Sequence, residues 1–416
     1  MTAIFGNDIM PDRRCDIAAW SGFSSYAICA FIVPILLVTM GKELHFPLDR
    51  GGMASGGALH LVRSIAMTVS LLSCGMIAGK FGTRRPLGVA VLLMGCGITG
   101  CALASSYAWL PILLLLSGLG EGICEGLLTP FVHDRHPETP ERHVNIAHSF
   151  WSVGIGICVL AAGAALRVGT SWRIIIAAAG LTGLLSSFLF FRSGSTAPEN
   201  GKKENGTEAA TFRSGLGAIL RAPRFWLYSA GMFVGAGAEF GLTFWAAAYL
   251  QLKFGAAPLT AGLGTATIAL GMFVGRNVFG RISKPGNLPI ILIAASIGTI
   301  PPTLLLAVMK AEYFGGTTAM YAVLLGVLFC CGVGISPFWP TLQVYGVSRL
   351  PELDPTLLYI CFSAIGVPGC GFFTWLIGAL GDRVQLHGAL LSVPVMLLIY
   401  AGIIAADLLI LRRKKS

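Results

Sequence analysis

The chain alternates long apolar runs with short polar breaks. Twelve runs are long enough, at about 20 mostly apolar residues, to cross a bilayer as helices. They fall at 17–40, 53–79, 86–105, 107–131, 144–166, 173–191, 225–251, 261–282, 287–309, 317–346, 357–380 and 386–411. A membrane barrel would instead show alternating segments of about ten residues. The pattern therefore predicts an all-α polytopic membrane protein. The first segment, MTAIFGNDIMPDRRCD, carries acids, and the apolar run behind it is too long for a signal-peptide core, so the first helix is expected to be retained.

The longest polar stretch, 192–224, is rich in Gly, Ser, Asn and Lys and reads as a linker. It divides the chain into a six-helix bundle at 1–192, a cytoplasmic linker at 193–224 and a second six-helix bundle at 225–416. At an offset of about 212 residues Gly120 and Gly122 fall on Gly332 and Gly334, and Phe150 and Gly154 on Phe362 and Gly366. A duplicated six-helix unit predicts such matches, and parallel repeats around a midplane site are one transporter architecture.

Charge sharpens the picture. Only 12% of residues are charged and 55% are hydrophobic, against about 25% charged in soluble domains. That excludes an ordinary soluble enzyme, a disordered chain and a coiled coil. The net charge of +10 has no long polar domain to sit on, so a nucleic-acid partner is not expected. With both termini cytoplasmic, 20 of the 29 Lys and Arg lie in cytoplasmic segments and seven in outer loops; Arg63 and Arg276 lie inside helices. This bias predicts an inner-membrane protein with both ends inside. The 11 Cys show no metal-ligand spacing and read as small buried hydrophobes; no metal or cofactor is expected.

Charges within a membrane helix are expensive and mark candidate sites. The set is Arg63, Glu121, Glu125, Glu239 and Arg276, with His60 and His148 beside them. Glu121 and Glu125, at i and i+4, share a helix face, and two carboxylates there cannot both ionise cheaply. One of them, or Glu239 in mid-helix, is a candidate proton carrier. An ion pair between Glu121 and Arg63 is the structural alternative. His60 and Arg63 share a face, as do Asn145 and His148 with Trp151 one turn on. These, with Glu239, Trp245, Arg276, Trp339 and Gln343, are candidate substrate contacts. His133, His136 and His143 lie in a polar loop with acids and read as solvated.

Four segments carry a resemblance. GMIAGKFGTRRPL, from Gly75 to Leu87, is similar to the loop 2–3 signature of the major facilitator superfamily. Gly75, Gly82, Arg84 and Arg85 match, while Gly79 stands where that signature has Asp and Lys80 where it has Arg. GLGEGICEGLLTPFVHDRHPE, RHVNIAHSFWSVG and GAGAEFGLTFWAAAYL resemble the fucose/glucose–galactose permease branch at Glu125, at Asn145, Ala147, Phe150 and Gly154, and at Glu239, Trp245 and Tyr249. Sugar permeases of that branch carry Asn or Asp in the first helix; 17–40 has neither. The resemblance implies the major facilitator fold, a gating role for Gly82, Arg84 and Arg85, and a monomer that couples a proton to a small solute, a sugar above all. A proton-antiport exporter, an organic-anion carrier and a transport-inactive receptor are the other readings.

Overall fold

The structure, a computed structural model, describes residues 13–136, 140–193, 215–284 and 286–413, without the side chains of 140–142, 144, 145 and 411–413. The expected linker is thus described only from 215 on, where a short helix spans 215–221.

The first bundle comprises α1 (Arg13–Glu43), α2 (Met53–Phe81), α3 (Arg84–Gly100), α4 (Trp109–His133), α5 (Pro140–Arg167) and α6 (Trp172–Arg192). The second comprises α7 (Pro223–Phe254), α8 (Pro258–Ile282), α9 (Leu288–Val308), α10 (Thr317–Ile335), α11 (Pro340–Ser348), α12 (Pro355–Ala389) and α13 (Ser392–Arg413). Twelve spans are long and apolar enough to cross a membrane, with α10 and α11 together forming one of them. Among the described residues there is no strand. The perimeter is apolar: Ile112, Ile174, Leu185, Phe188, Ile290 and Val395 are each more than half exposed. Such a belt suits lipid and would be a liability in water.

Within the first bundle α2 and α3 pack on α4, and α5 and α6 on α1; in the second, α8 and α9 pack on α10, and α12 and α13 on α7. The bundles meet along two seams, α2 with α12 and α5 with α8, and α1 also touches α7. Small residues bring these backbones together. A Cβ on Gly57 would strike the backbone at Thr374 and Trp375, and one on Gly371 would strike Ser64. A Cβ on Gly163 would strike Leu259, and one on Gly262 would press on Val159. These contacts lie in the half of the molecule away from the chain termini, called here the far face; the opposite side is the terminal face.

Three details depart from the sequence reading. The expected helix 317–346 breaks between Ile335 and Pro340, where Pro337 and Pro340 remove backbone donors. The expected helix 357–380 runs on to Ala389 through a kink at Val384 and Gln385 (φ 63°), so the last helix starts at Ser392 rather than 386. The repeat register also shifts. Gly118 abuts α2 as Gly332 abuts α8, and Gly120 abuts α3 as Gly334 abuts α9. The equivalent glycines of α4 and α10 are therefore 214 residues apart, not 212.

Nine cysteines are buried, Cys15 among them, while Cys96 and Cys330 are exposed.

Candidate functional site

Arg63 and Glu121 form the most deeply enclosed charge pair. Arg63 Nε donates to Oε1 and Oε2 of Glu121 at 2.8 and 2.7 Å, and Nη2 lies 2.6 Å from Oε1. Both side chains are nearly sealed, at 3% and 2% exposure. Ser117 donates to Glu121 at 2.6 Å. Pro34 in α1 has no N–H, which leaves the Ala30 carbonyl without its helical partner. Arg63 Nη1 fills that gap at 3.1 Å, and Nη2 reaches the Cys29 carbonyl at 3.1 Å. The pair therefore ties α1, α2 and α4 together.

One turn along α4, Glu125 is in a different setting. It is exposed, although α4 is otherwise packed on this side. At 1.5 Å per residue it sits about 12 Å from the terminal-face end of its helix. Tyr26 of α1 donates to Glu125 Oε2 at 3.2 Å, and the half-buried Trp151 of α5 packs edge-on to the Tyr26 ring at 4.5 Å. His148 is exposed, hydrogen-bonds Thr129 at 2.9 Å through Nε2 and leans on Phe23.

The second bundle presents Arg276 and Glu239 to the same space. Arg276 Nη2 donates to Glu239 Oε1 at 3.3 Å; the arginine side chain is 43% exposed and the glutamate 6%. Glu239 Oε2 is buried without a hydrogen-bond partner among the described residues. Arg276 is also the cation within electrostatic reach of Glu125 and His148. The space between the bundles thus holds two carboxylates and one guanidinium, contributed from both sides.

Toward the far face the space narrows to an aromatic end. His60 of α2 is buried, stacked on Phe240 at 5.4 Å and tilted against Phe244, both from α7. With Phe31, Pro34 and Thr243 they line a small cavity. Gln343 of α11 donates to Ser363 of α12 at 2.9 Å. Trp339, at the break between α10 and α11, lies against Gly366.

The structure therefore brings together Glu125, Glu239, Arg276, His148 and Trp151. It does not bring Trp245 to this space: that ring is fully buried and its Nε1 donates to the Thr374 carbonyl at 3.0 Å. Glu121 and Arg63 are engaged with each other. Asn145 lies on α5, and its side chain is outside the described residues. Among the residues expected to gate, Gly82 ends α2 with a positive φ of 71°, which glycine adopts without strain. Arg84 donates to the carbonyls of Phe190 and Ser193, at the end of α6 where the helix dipole attracts a cation and where Ser193 Oγ also donates to the Phe190 carbonyl; Arg85 is exposed. Tyr26 and Thr129 went unmarked in the sequence, because an uncharged hydroxyl in an apolar helix leaves no trace in a search for charge.

The Major Facilitator Superfamily profile matches residues 18–356. A comparison with curated protein sequences returns no match. Among solved structures, a bacterial homologue of the human lysosomal transporter Spinster, inward-facing and unoccupied, aligns with a TM-score of 0.72 at 14% identity, covering 95% of this chain and 97% of that one. A D-xylose–proton symporter aligns at 0.73 and 13%, over 94% and 96%. The fucose:proton symporter of E. coli aligns at 0.62 and 17%, over 94% and 97%. At these identities the likeness is one of fold, and the fold is the one the twelve spans and two bundles describe. The chain belongs to the major facilitator superfamily of membrane transporters.

Proposed function

We propose that this protein is a proton-coupled secondary transporter of a small polar solute, a sugar above all, working by alternating access. The observation that carries the reading is the exposed Glu125. It is held by Tyr26, open to the space between the bundles and within electrostatic reach of Arg276, which pairs with Glu239 on the other side. A carboxylate that loads and releases a proton needs water on one side and a partner that changes as the bundles move. Glu121 has neither, being sealed against Arg63. Glu125 is therefore the proton carrier, with Glu239 and Arg276 completing a charge set that the solute and proton rearrange. Trp151, His148 and Gln343 supply ring and hydrogen-bonding contacts of the kind a sugar uses. Two structures that share the fold are named as proton symporters of sugars, which agrees with this choice of solute.

In this reading 1–192 and 225–416 are the rocking units and 193–224 joins them on the cytoplasmic side. The Lys and Arg distribution supports cytoplasmic termini, and in this reading the terminal face is the open cytoplasmic side of an inner-membrane monomer.

The test is flux into proteoliposomes under an imposed pH gradient, using solutes first selected from a panel of sugars and organic acids by thermal shift, since a ligand of the folded state raises its apparent stability. Glu125→Gln should abolish proton-driven accumulation and retain solute exchange. Accumulation that survives this change refutes the assignment. An acid that stabilises the protein where no sugar does would make Arg276 the anchor of an anionic solute and overturn the sugar reading.

A further inference from the structure

The start of α2 lacks a cap of its own. The chain turns through Arg50-Gly51-Gly52, and the N-cap Gly52 has no side chain to accept the first free N–H groups of the helix. Those groups are satisfied from the other bundle. Met53 N–H donates to Oδ1 of Asp382 and Ala54 N–H to Oδ2, both at 2.8 Å. Asp382 lies on α12, beyond the close approach of Gly57 to Thr374 and of Gly378 to Met53. One carboxylate thus spans the α2–α12 seam at its far-face end and faces the positive end of the α2 dipole.

The terminal-face end of the same seam is built differently. There α12 begins with its own cap: Asp354 accepts from Leu357 N–H at 2.7 Å. The last turns of α2, Gly75-Met76-Ile77-Ala78-Gly79-Lys80-Phe81, hold no acid that could cross to it. One helix of the pair is therefore complete in either arrangement of the bundles, and the other is complete only while the far face is closed.

We propose that Asp382 is a latch for the closed far face. By capping α2 across the seam it biases the transporter toward the state that opens on the terminal face. Opening the far face pulls the carboxylate off two amides that no side chain of α2 replaces. The inference rests on the alternating-access reading above, but its test needs neither the solute nor the proton gradient, so failure of one leaves the other standing.

Hydrogen exchange read by mass spectrometry on the full chain in lipid nanodiscs is the experiment. In Asp382→Asn the amides of 53–57 should exchange about tenfold faster or more, a shift of ~1.4 kcal/mol in the opening equilibrium. The α5–α8 seam, around 159–163 and 259–262, should accelerate with them, because that seam closes the same face and contains no part of the cap. In Asp354→Asn, which removes a cap within one helix, only the start of α12 should change. If Asp382→Asn accelerates 53–57 and leaves the α5–α8 seam at its original rate, the contact is a local cap and the proposal fails. Gly57→Ala gives an independent arm should Asp382→Asn not fold. Its added methyl forces the seam apart with Asp382 intact, and it should release the 53–54 amides together with the α5–α8 seam. Opening of that seam with 53–54 still protected would equally overturn the latch.

Discussion

Replacing Glu121 by Met tests the division between structural and mobile charge most directly. Arg63 would lose every bond from Nε and the contact from Nη2 to the carboxylate, keeping only the carbonyls of Ala30 and Cys29. A guanidinium with 3% of its surface exposed would then carry an uncompensated charge. Removing one partner of a buried pair costs about 3–5 kcal/mol, and Arg63→Met should cost a similar amount from the other side. The double variant removes the desolvation of both ions along with their attraction. What remains is the Ala30 carbonyl that Pro34 leaves free, a loss of about 1–3 kcal/mol. Arg63→Met/Glu121→Met should therefore be more stable than either single variant, with a coupling energy of about 3 kcal/mol or more. Equilibrium unfolding in mixed micelles with rising SDS fraction, followed by tryptophan fluorescence, measures all four corners of the cycle. If the double variant costs the sum of the two singles within about 0.5 kcal/mol, the residues act independently and the reasoning fails. The same double variant should still accumulate solute under a pH gradient, because the proposed proton carrier, Glu125, is untouched.

Other substitutions probe single contacts. Tyr26→Phe removes the hydroxyl that holds Glu125 and should slow proton-driven accumulation about tenfold, in keeping with ~1.5 kcal/mol for a hydrogen bond to a charged group, with folding unchanged; an unaltered initial rate would take Tyr26 out of the site. Arg84→Ala removes the cation and the donor to the Ser193 carbonyl, leaving Phe190 only its bond from Ser193 Oγ, and should cost about 1–2 kcal/mol in the same unfolding assay. Arg173→Lys should cost a comparable ~1–2 kcal/mol. The guanidinium serves Glu43, Ala102 and Ala104 at once and lies over Trp172, an arrangement that a single ammonium cannot reproduce.

Helix number and type were legible in the sequence because the membrane imposes them: an apolar run of twenty or more residues has one stable backbone solution in lipid. Where the reading slipped, a local signal had a non-local answer. Gly381-Asp382-Arg383 reads as the end of a span, since an acid belongs in water. The helix continues instead, because Asp382 is satisfied by the start of α2. At the break between Ile335 and Pro340 the Val333 carbonyl, which loses its donor to Pro337, accepts from Ser336 Oγ close by, while the Phe338 carbonyl accepts from Tyr400 of the last helix, a partner the local sequence does not reveal. Three of the four matches that revealed the repeat are glycines, which recur so often in tightly packed helices that a register two residues out still finds matches. The packing partner of each glycine sets the register.

Residue spacing located the charges of the site and could not assign their partners. Glu121 and Glu125 are equivalent by helical period, yet one is locked in a buried ion pair and the other is exposed and held by a single tyrosine hydroxyl. The difference arises in two neighbouring helices. Gly118 and Gly122 let α2 close against α4, so that Arg63 arrives level with Glu121. Pro34 in α1 frees the carbonyl that fixes the guanidinium there. One turn further on, α1 offers Tyr26, a neutral donor that can hold a carboxylate or let it go. His60 and Trp245 follow the same logic. Each has a polar nitrogen in an apolar helix, which marks it as a candidate contact. Trp245 then finds the Thr374 carbonyl inside the second bundle, while His60 is pressed against phenylalanines from across the gap. A polar group in a membrane helix is functional to the extent that its partner lies in the other bundle, where motion can exchange it. His60 and Asp382 meet that criterion through direct contacts, and Glu125 and Arg276 only through the reach of their charges across the gap, whereas Glu121, Arg63 and Trp245 find their partners within their own bundle.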